Sequence, residues 1–371
     1  MASRHAATPA PALRIAFAYA QGRRDCASLR ENGRRQREAA MMRTILGSIL
    51  ALTLAGAAPA QAPKLETADL ATRLTPSPVK YSVLFPPGYA AAKEPLPLIL
   101  LLHGGGGDNG FLERMRPTFE AAWAAGELPA AVVVTPDVGR SLYMDFRDGS
   151  QKWETFIVSE LVPELRKRYR LSSDRSKTVV TGVSMGGLGS LRLGLDHPEM
   201  FGGLAALEAG IEPALAFDDV KMRNRFQRDD KFFASIFGDP VDRAFWKKAN
   251  PASMAIDNRG KILASGLQIY IEVGDLDMFH LDEGVEFLHR VLWDHGIPHE
   301  YRLVRGADHT GKSVPPRMRD ALRFLTQNVL APPPPDETLA ASRPRIERLR
   351  RAMGVPDDQP RPPLPATSLP K

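Results

Sequence analysis

The chain has 371 residues, 43% hydrophobic and 25% charged, a balance that excludes whole-chain disorder, a collagen-like repeat and a coiled coil. A single cysteine, Cys26, excludes an intramolecular disulfide framework and a cysteine-built zinc cluster. The net charge of +6 is carried by residues 1–43, which hold nine Arg against two Glu and one Asp, while residues 63–371 balance 40 basic against 40 acidic groups, so a nucleic-acid-binding role for the folded part loses its electrostatic support.

In chain order, residues 42–62 (MRTILGSILALTLAGAAPAQA) come as the first readable element. Arg43 supplies a positive n-region, Ile45 to Leu54 a short apolar stretch, and Ala60-Gln61-Ala62 an A-x-A cleavage pattern, so this is read as a secretory signal peptide. The apolar run is shorter than the ~20 residues a membrane span needs. Met41 and Met42 are adjacent, and residues 1–41 read as a non-native or disordered extension. The expected location of the processed protein is the periplasm or the exterior, with no stable membrane insertion after cleavage.

Residues 63–330 alternate strand and helix patterns. Leu96–Leu102 (LPLILLL) and Ala130–Thr135 (AAVVVT) are apolar runs of strand length, suited to strands buried on both faces. Apolar residues at Trp153, Phe156, Ile157, Leu161 and Leu165 predict a helix over 152–169. A strand is expected at 178–182 and a helix at 185–195. Further strands are expected at 204–207, 267–273 and 300–304, with helices at 285–295 and 317–330. This alternation predicts a single α/β domain with a mostly parallel central sheet and helices on both faces, its function gathered at the carboxyl ends of the strands. The segment 218–251 has no clear period and is expected to cap that edge. From Ala331 a Pro-rich, charged tail runs to Lys371; it cannot build a core and is expected to be flexible, extended or partly helical.

Gly182-Val183-Ser184-Met185-Gly186-Gly187 lies between the strand at 178–182 and the small-residue helix that follows. That context makes it a nucleophile elbow, a tight turn lifting Ser184 Oγ clear of the sheet. The helix N-terminus behind it favours negative charge. His103-Gly104-Gly105-Gly106-Gly107 follows the LPLILLL strand, and such glycine-rich backbone can aim N–H groups at a developing oxyanion. The Met185 N–H would be the partner donor. A phosphate loop is disfavoured because the lysine and hydroxyl of G-x-x-x-x-G-K-[ST] are missing. His103 itself reads as a structural or pocket-wall residue.

A serine nucleophile needs an imidazole base and an orienting carboxylate, here in the chain order Ser, acid, His. His309, on a loop after the last strand, fits best. The acid is expected in Gly274-Asp275-Leu276-Asp277, with Asp277 first and Asp275 second; Asp275 could instead cap the turn. The pocket walls would come from loops around Tyr143, 218–246 and Met278–Phe279. Phe226, Phe232, Phe233, Phe237 and Trp246 there suit either a substrate face or packing. No H-E-x-x-H, paired cysteine or EF-hand loop occurs, so no metal and no other cofactor is expected.

Together, Tyr143-Met144-Asp145, Lys152-Trp153-Glu154-Thr155-Phe156, Ser159-Glu160-Leu161, the elbow, and His197-Pro198-Glu199-Met200-Phe201 resemble the esterase D-like branch of the α/β-hydrolases. That branch includes S-formylglutathione hydrolases, feruloyl, acetylxylan and siderophore esterases, and mycolyltransferase antigens. The resemblance spans about 81–330 and is specific to the branch, not to one substrate. It implies the α/β-hydrolase fold, Ser184 as nucleophile, His309 as base and Asp277 as acid. It also implies Gly105 and Met185 as oxyanion donors, with Trp153 and Glu154 buttressing the site. An export signal and the lack of a cysteine near the site depart from the formylglutathione enzymes; the four-glycine loop departs from the mycolyltransferase pattern. The expected reaction is hydrolysis of a small-molecule or carbohydrate ester through an acyl-enzyme. Acyl transfer to a sugar or lipid hydroxyl, or binding without catalysis on the same fold, are the alternatives.

Overall fold

The computed structural model describes residues 63–226, 228–334 and 336–354. The signal-peptide pattern, the extension before it and the last seventeen residues of the tail lie outside them.

Eight strands form one sheet in the order β1-β2-β4-β3-β5-β6-β7-β8. They are β1 (Lys64–Leu70), β2 (Val79–Phe85), β3 (Leu98–Leu102), β4 (Val132–Pro136), β5 (Thr178–Val183), β6 (Gly203–Leu207), β7 (Gln268–Gly274) and β8 (Glu300–Val304). From β4 through β8 all neighbours run parallel, while β1 and β2 are antiparallel additions at one edge. Neither β1 nor β2 is expected from the apolar pattern. At seven residues each they are not short, but the KLETADL run is mostly polar because one side of that edge faces water.

Alternation along the strands divides the core into two layers. In β3 the side chains of Leu98, Leu100 and Leu102 enter one cluster and those of Ile99 and Leu101 the other, all fully buried. The first cluster is covered by α2, over 153–168, and by α3 (Met185–Asp196). The second is covered by α1 (Phe111–Ala124) and, further along the chain, by α9 (Val314–Leu325). The expected helix at 152–169 is present, but its middle, Phe156–Leu161, is π-wound, a departure that apolar spacing does not signal.

The segment 218–251, expected to be irregular, contains α4 (Asp230–Phe237) and α5 (Arg243–Ala249), each started by an aspartate side chain. Asp229 accepts from Phe232 N and Asp242 from Phe245 N, the usual N-cap bond. Two more short helices, α6 (Pro251–Asp257) and α7 (Arg259–Ser265), lead into β7. After β7 comes α8 (Leu281–Asp294), four residues longer at its start than the periodicity indicates. The described part of the tail contains α10 (Glu337–Ala352), none of whose residues is buried. Among the described residues no helix is long and apolar enough to cross a membrane.

Candidate active site

The carboxyl ends of β5, β7 and β8 carry Ser184, Asp277 and His309. Ser184 sits between β5 and α3 with φ 62° and ψ −118°, a conformation that costs a side-chain-bearing residue about 1–3 kcal/mol. Its backbone N–H donates to Leu207 O at 2.9 Å and its carbonyl accepts from Leu188 N at 3.0 Å. The flanking glycines explain how the turn fits. A Cβ on Gly186 would lie 2.1 Å from Leu102 O, and one on Gly182 would lie 2.6 Å from Gly186 backbone atoms. Any larger residue would push the helix off the sheet.

The His309 ring donates from Nδ1 to Asp277 Oδ2 at 2.8 Å, and both side chains are nearly or fully buried. Asp277 Oδ1 also accepts from Phe279 N at 2.8 Å and Leu281 N at 3.3 Å, the latter the first amide of α8. Burial works to raise the Asp277 pKa, but the hydrogen bond from His309 and the neighbouring Glu208 outweigh it and hold it at about 2. Phe279 meets the His309 ring edge-on at 4.7 Å, and Phe226 lies 5.9 Å from it.

The loops after β7 and β8 are stitched together. Leu276 N donates to Ala307 O, Met278 N to Asp308 Oδ1, and Gly306 N to Asp275 Oδ1. Asp308 Oδ1 also accepts from His309 N. Of the two candidate acids, the structure brings Asp277 to His309, while exposed Asp275 accepts from Gly306 N on the neighbouring loop rather than capping its own turn.

Gly105, Met185, Leu142, Phe226 and Phe232 line a cleft with Ser184. Met185 opens α3, so its amide has no acceptor a turn back in its own helix. His103 stands behind the glycine loop, fully buried. Its Nδ1 donates to Gly104 O at 2.8 Å, and its Nε2 accepts from Val138 N at 3.2 Å. Both nitrogens are thus occupied, and burial lowers its pKa, so His103 is a neutral brace. Tyr143, expected in a pocket wall, is instead fully buried and donates its hydroxyl to His103 O at 3.0 Å. Phe233, Phe237 and Trp246 are core residues, whereas Phe226 and Phe232 face the cleft.

Trp153 and Glu154 are not brought to Ser184. Trp153 Nε1 donates to Gln151 Oε1, and Glu154 pairs with His197 at 2.8 Å, just past the far end of α3. A twelve-residue helix is ~18 Å long, so this pair anchors the far end of α3. It lines a separate cleft of about 360 Å³ with Asp145, Arg192 and Lys248.

A buried polar group under the site is missing from the sequence reading. Glu208, at the end of β6, Glu272 in β7 and Arg317 in α9 are nearly or fully inaccessible. Arg317 Nη1 bonds Glu208 Oε1 and lies 3.3 Å from Glu272 Oε1, and Arg317 Nη2 donates to Asp308 O at 3.0 Å. A signal existed: single carboxylates interrupt the apolar runs GLAALEAG and QIYIEVG. Glu208, Asp277 and His309 have ligand atoms within 4.8 Å of one another, as do Glu154, Asp196 and His197. In the first group Arg317 already supplies a compensating cation.

Burial pushes Glu208 up to about 8 from an ordinary 4.5, and the neighbouring Asp277 carboxylate adds to this against the pull of Arg317. The folded state therefore holds a proton that the unfolded chain releases above pH 4.5. Its stabilisation is complete below that pH and is lost as pH rises through about 8. Thermal melts of Glu208→Gln should show a smaller fall in Tm between pH 5 and pH 8 than the parent, by at least about 2 °C. Equal falls in the two proteins would remove Glu208 from that linkage.

A family model described as Putative esterase matches residues 72–313. An esterase of Mycobacterium tuberculosis is 29% identical over 140 residues, 36% of this chain and 29% of that protein. An acetyl esterase of Caldicellulosiruptor saccharolyticus is 30% identical over 29% of this chain and 40% of its own length. A diacylglycerol acyltransferase/mycolyltransferase of Mycobacterium leprae is 32% identical over 33% of this chain and 36% of its own. The chain thus spans well under half the length of these curated relatives. Among solved structures, a ferulic acid esterase superposes with a TM-score of 0.59 at 24% identity, over 72% of this chain and 98% of that one. An S-formylglutathione hydrolase from Agrobacterium tumefaciens gives 0.58 at 20% identity, over 72% and 96%.

Proposed function

Given that the chain belongs to the Putative esterase family and has the α/β-hydrolase fold, we propose that it is an exported serine carboxylesterase acting through Ser184, His309 and Asp277. The observation that carries this reading is the 2.8 Å bond between His309 Nδ1 and Asp277 Oδ2, made at the same sheet edge as the strained Ser184 turn. With Nδ1 committed to the carboxylate, Nε2 is the nitrogen left to take a proton.

Ser184 Oγ attacks the ester carbonyl carbon as His309 Nε2 accepts the hydroxyl proton. The carbonyl π pair moves onto oxygen, and the N–H groups of Gly105 and Met185 stabilise that charge. A donor of this kind is worth about 3–4 kcal/mol of barrier. The oxyanion collapses, the C–O bond to the alcohol breaks, and His309 returns its proton to the departing oxygen. Water, deprotonated by His309, then attacks the acyl-enzyme and frees the acid and Ser184. Asp277 holds the ring's tautomer and offsets its transient charge throughout. Export rests on the pattern at 42–62.

Similarity to a mycolyltransferase favours one competing reading, in which an alcohol replaces water. Incubating the processed chain with p-nitrophenyl acetate, with and without glycerol or trehalose, tests both. The expected outcome is free acetate as the main product in either case, with a fluorophosphonate probe labelling Ser184. Acetylated acceptor as the main product would make the protein a transferase. Neither turnover of any acetyl, feruloyl or short-chain ester nor labelling would leave a binding module.

A further inference from the structure

The cleft beside Ser184 carries two guanidinium groups, Arg140 and Arg228, and no carboxylate among its lining residues. The two differ. Arg228 is buried, paired with Glu212 at 2.8 Å, and donates to Gly210 O. Its charge is internally balanced. Arg140 is exposed, and among the described residues no carboxylate pairs with it. Asp137, three residues earlier, has Oδ1 engaged by Gly139 N–H.

Position makes the unbalanced charge informative. Arg140 Nε lies 3.9 Å from the place a Cβ on Gly105 would occupy, so the guanidinium borders the candidate oxyanion loop. Its Cζ sits 4.9 Å from the centre of the Phe232 ring, which orients the fork and screens one side from water. The loop carrying it is braced from below. Arg192 Nη1 donates to Leu142 O at 2.8 Å, and Tyr143 OH ties the same turn to His103 O. Leu142 and Tyr143 both hold φ near +56°, a backbone kept in place by those contacts.

An oriented, unpaired guanidinium at the mouth of a catalytic cleft suits a planar oxyanion that arrives with the ligand. We propose that Arg140 selects esters that bear a free carboxylate close to the scissile carbonyl, on either the acyl or the alcohol portion. This rests on the serine-esterase reading and narrows its substrate class to acidic esters.

Matched pairs test it. On the acyl side, p-nitrophenyl hydrogen glutarate is compared with p-nitrophenyl valerate. On the alcohol side, 3-carboxyphenyl acetate is compared with 3-carbamoylphenyl acetate. The parent should prefer the charged member of at least one pair by about tenfold in kcat/KM, or about 1.4 kcal/mol, and the preference should shrink in 0.5 M NaCl. Arg140→Gln should bring that ratio to about one, with Arg140→Lys in between. No preference in either pair, or a preference that survives Arg140→Gln, overturns the assignment. Titration of the same esters into Ser184→Ala gives a readout separate from turnover. Charged-ester binding that needs Arg140, found where the parent with Ser184 intact hydrolyses none of these esters, would keep the Arg140 assignment and discard the esterase reading.

Discussion

Ser184→Ala should lower kcat on p-nitrophenyl acetate by about 10⁴- to 10⁶-fold, the range seen when a serine nucleophile is removed from a triad, while leaving the fold intact. In the proposed mechanism the Oγ forms the acyl bond, and no other hydroxyl lines the cleft among the described residues. Alanine keeps a Cβ, so the φ of 62° stays as unfavourable as before. Ser184→Gly separates activity from strain. It should be equally inactive yet more stable than the alanine variant by about 1 kcal/mol, because glycine accepts positive φ without a Cβ clash. Steady-state kinetics and thermal melts on the three proteins measure both effects. Activity within tenfold of the parent in Ser184→Ala would end the proposal that this residue is the nucleophile.

Asp277→Asn should cost about 10³- to 10⁴-fold in kcat, since an amide cannot hold His309 in the right tautomer or offset its positive charge. Asp277 is buried and committed to His309 Nδ1 and two amides. Asp275→Asn, two residues away, should stay within a few-fold, because exposed Asp275 touches Gly306 N and not the imidazole. Glu208 lies beside Asp277 and gives the site a second buried carboxylate. If it partly substitutes, Asp277→Asn will fall at the smaller end of its range and Asp277→Asn/Glu208→Gln at the larger. Kinetics of the four proteins at pH 8 decide this; equal losses in Asp275→Asn and Asp277→Asn would contradict the geometry.

The inner parallel strands β3 and β4 were legible as unbroken apolar runs, a composition that burial on both faces demands. The elbow was legible because its glycines answer a contact measured in tenths of an ångström at Leu102 O. Choosing Asp277 over Asp275 needed the chain order and a resemblance, since both sit on one short loop. The β1–β2 hairpin was hidden by its half-polar face. The Glu208–Glu272–Arg317 group was hidden because its members lie more than a hundred positions apart at the extremes and meet only through the sheet. Trp153 and Glu154 illustrate the reverse case: a recognisable motif whose place is the far end of α3.

The topology also fixes when the proposed chemistry can begin. Ser184 is complete once β5 and α3 have formed, but the imidazole and its carboxylate arrive on loops that exist only after β7 and β8 have docked. The strand that precedes His309 is the last in the chain and has a single neighbour. A nascent or truncated polypeptide ending before position 309 would own a nucleophile with nothing to deprotonate it. Synthesis itself therefore acts as a safety catch, and fraying of the outermost strand would re-engage it long before the molecule as a whole comes apart.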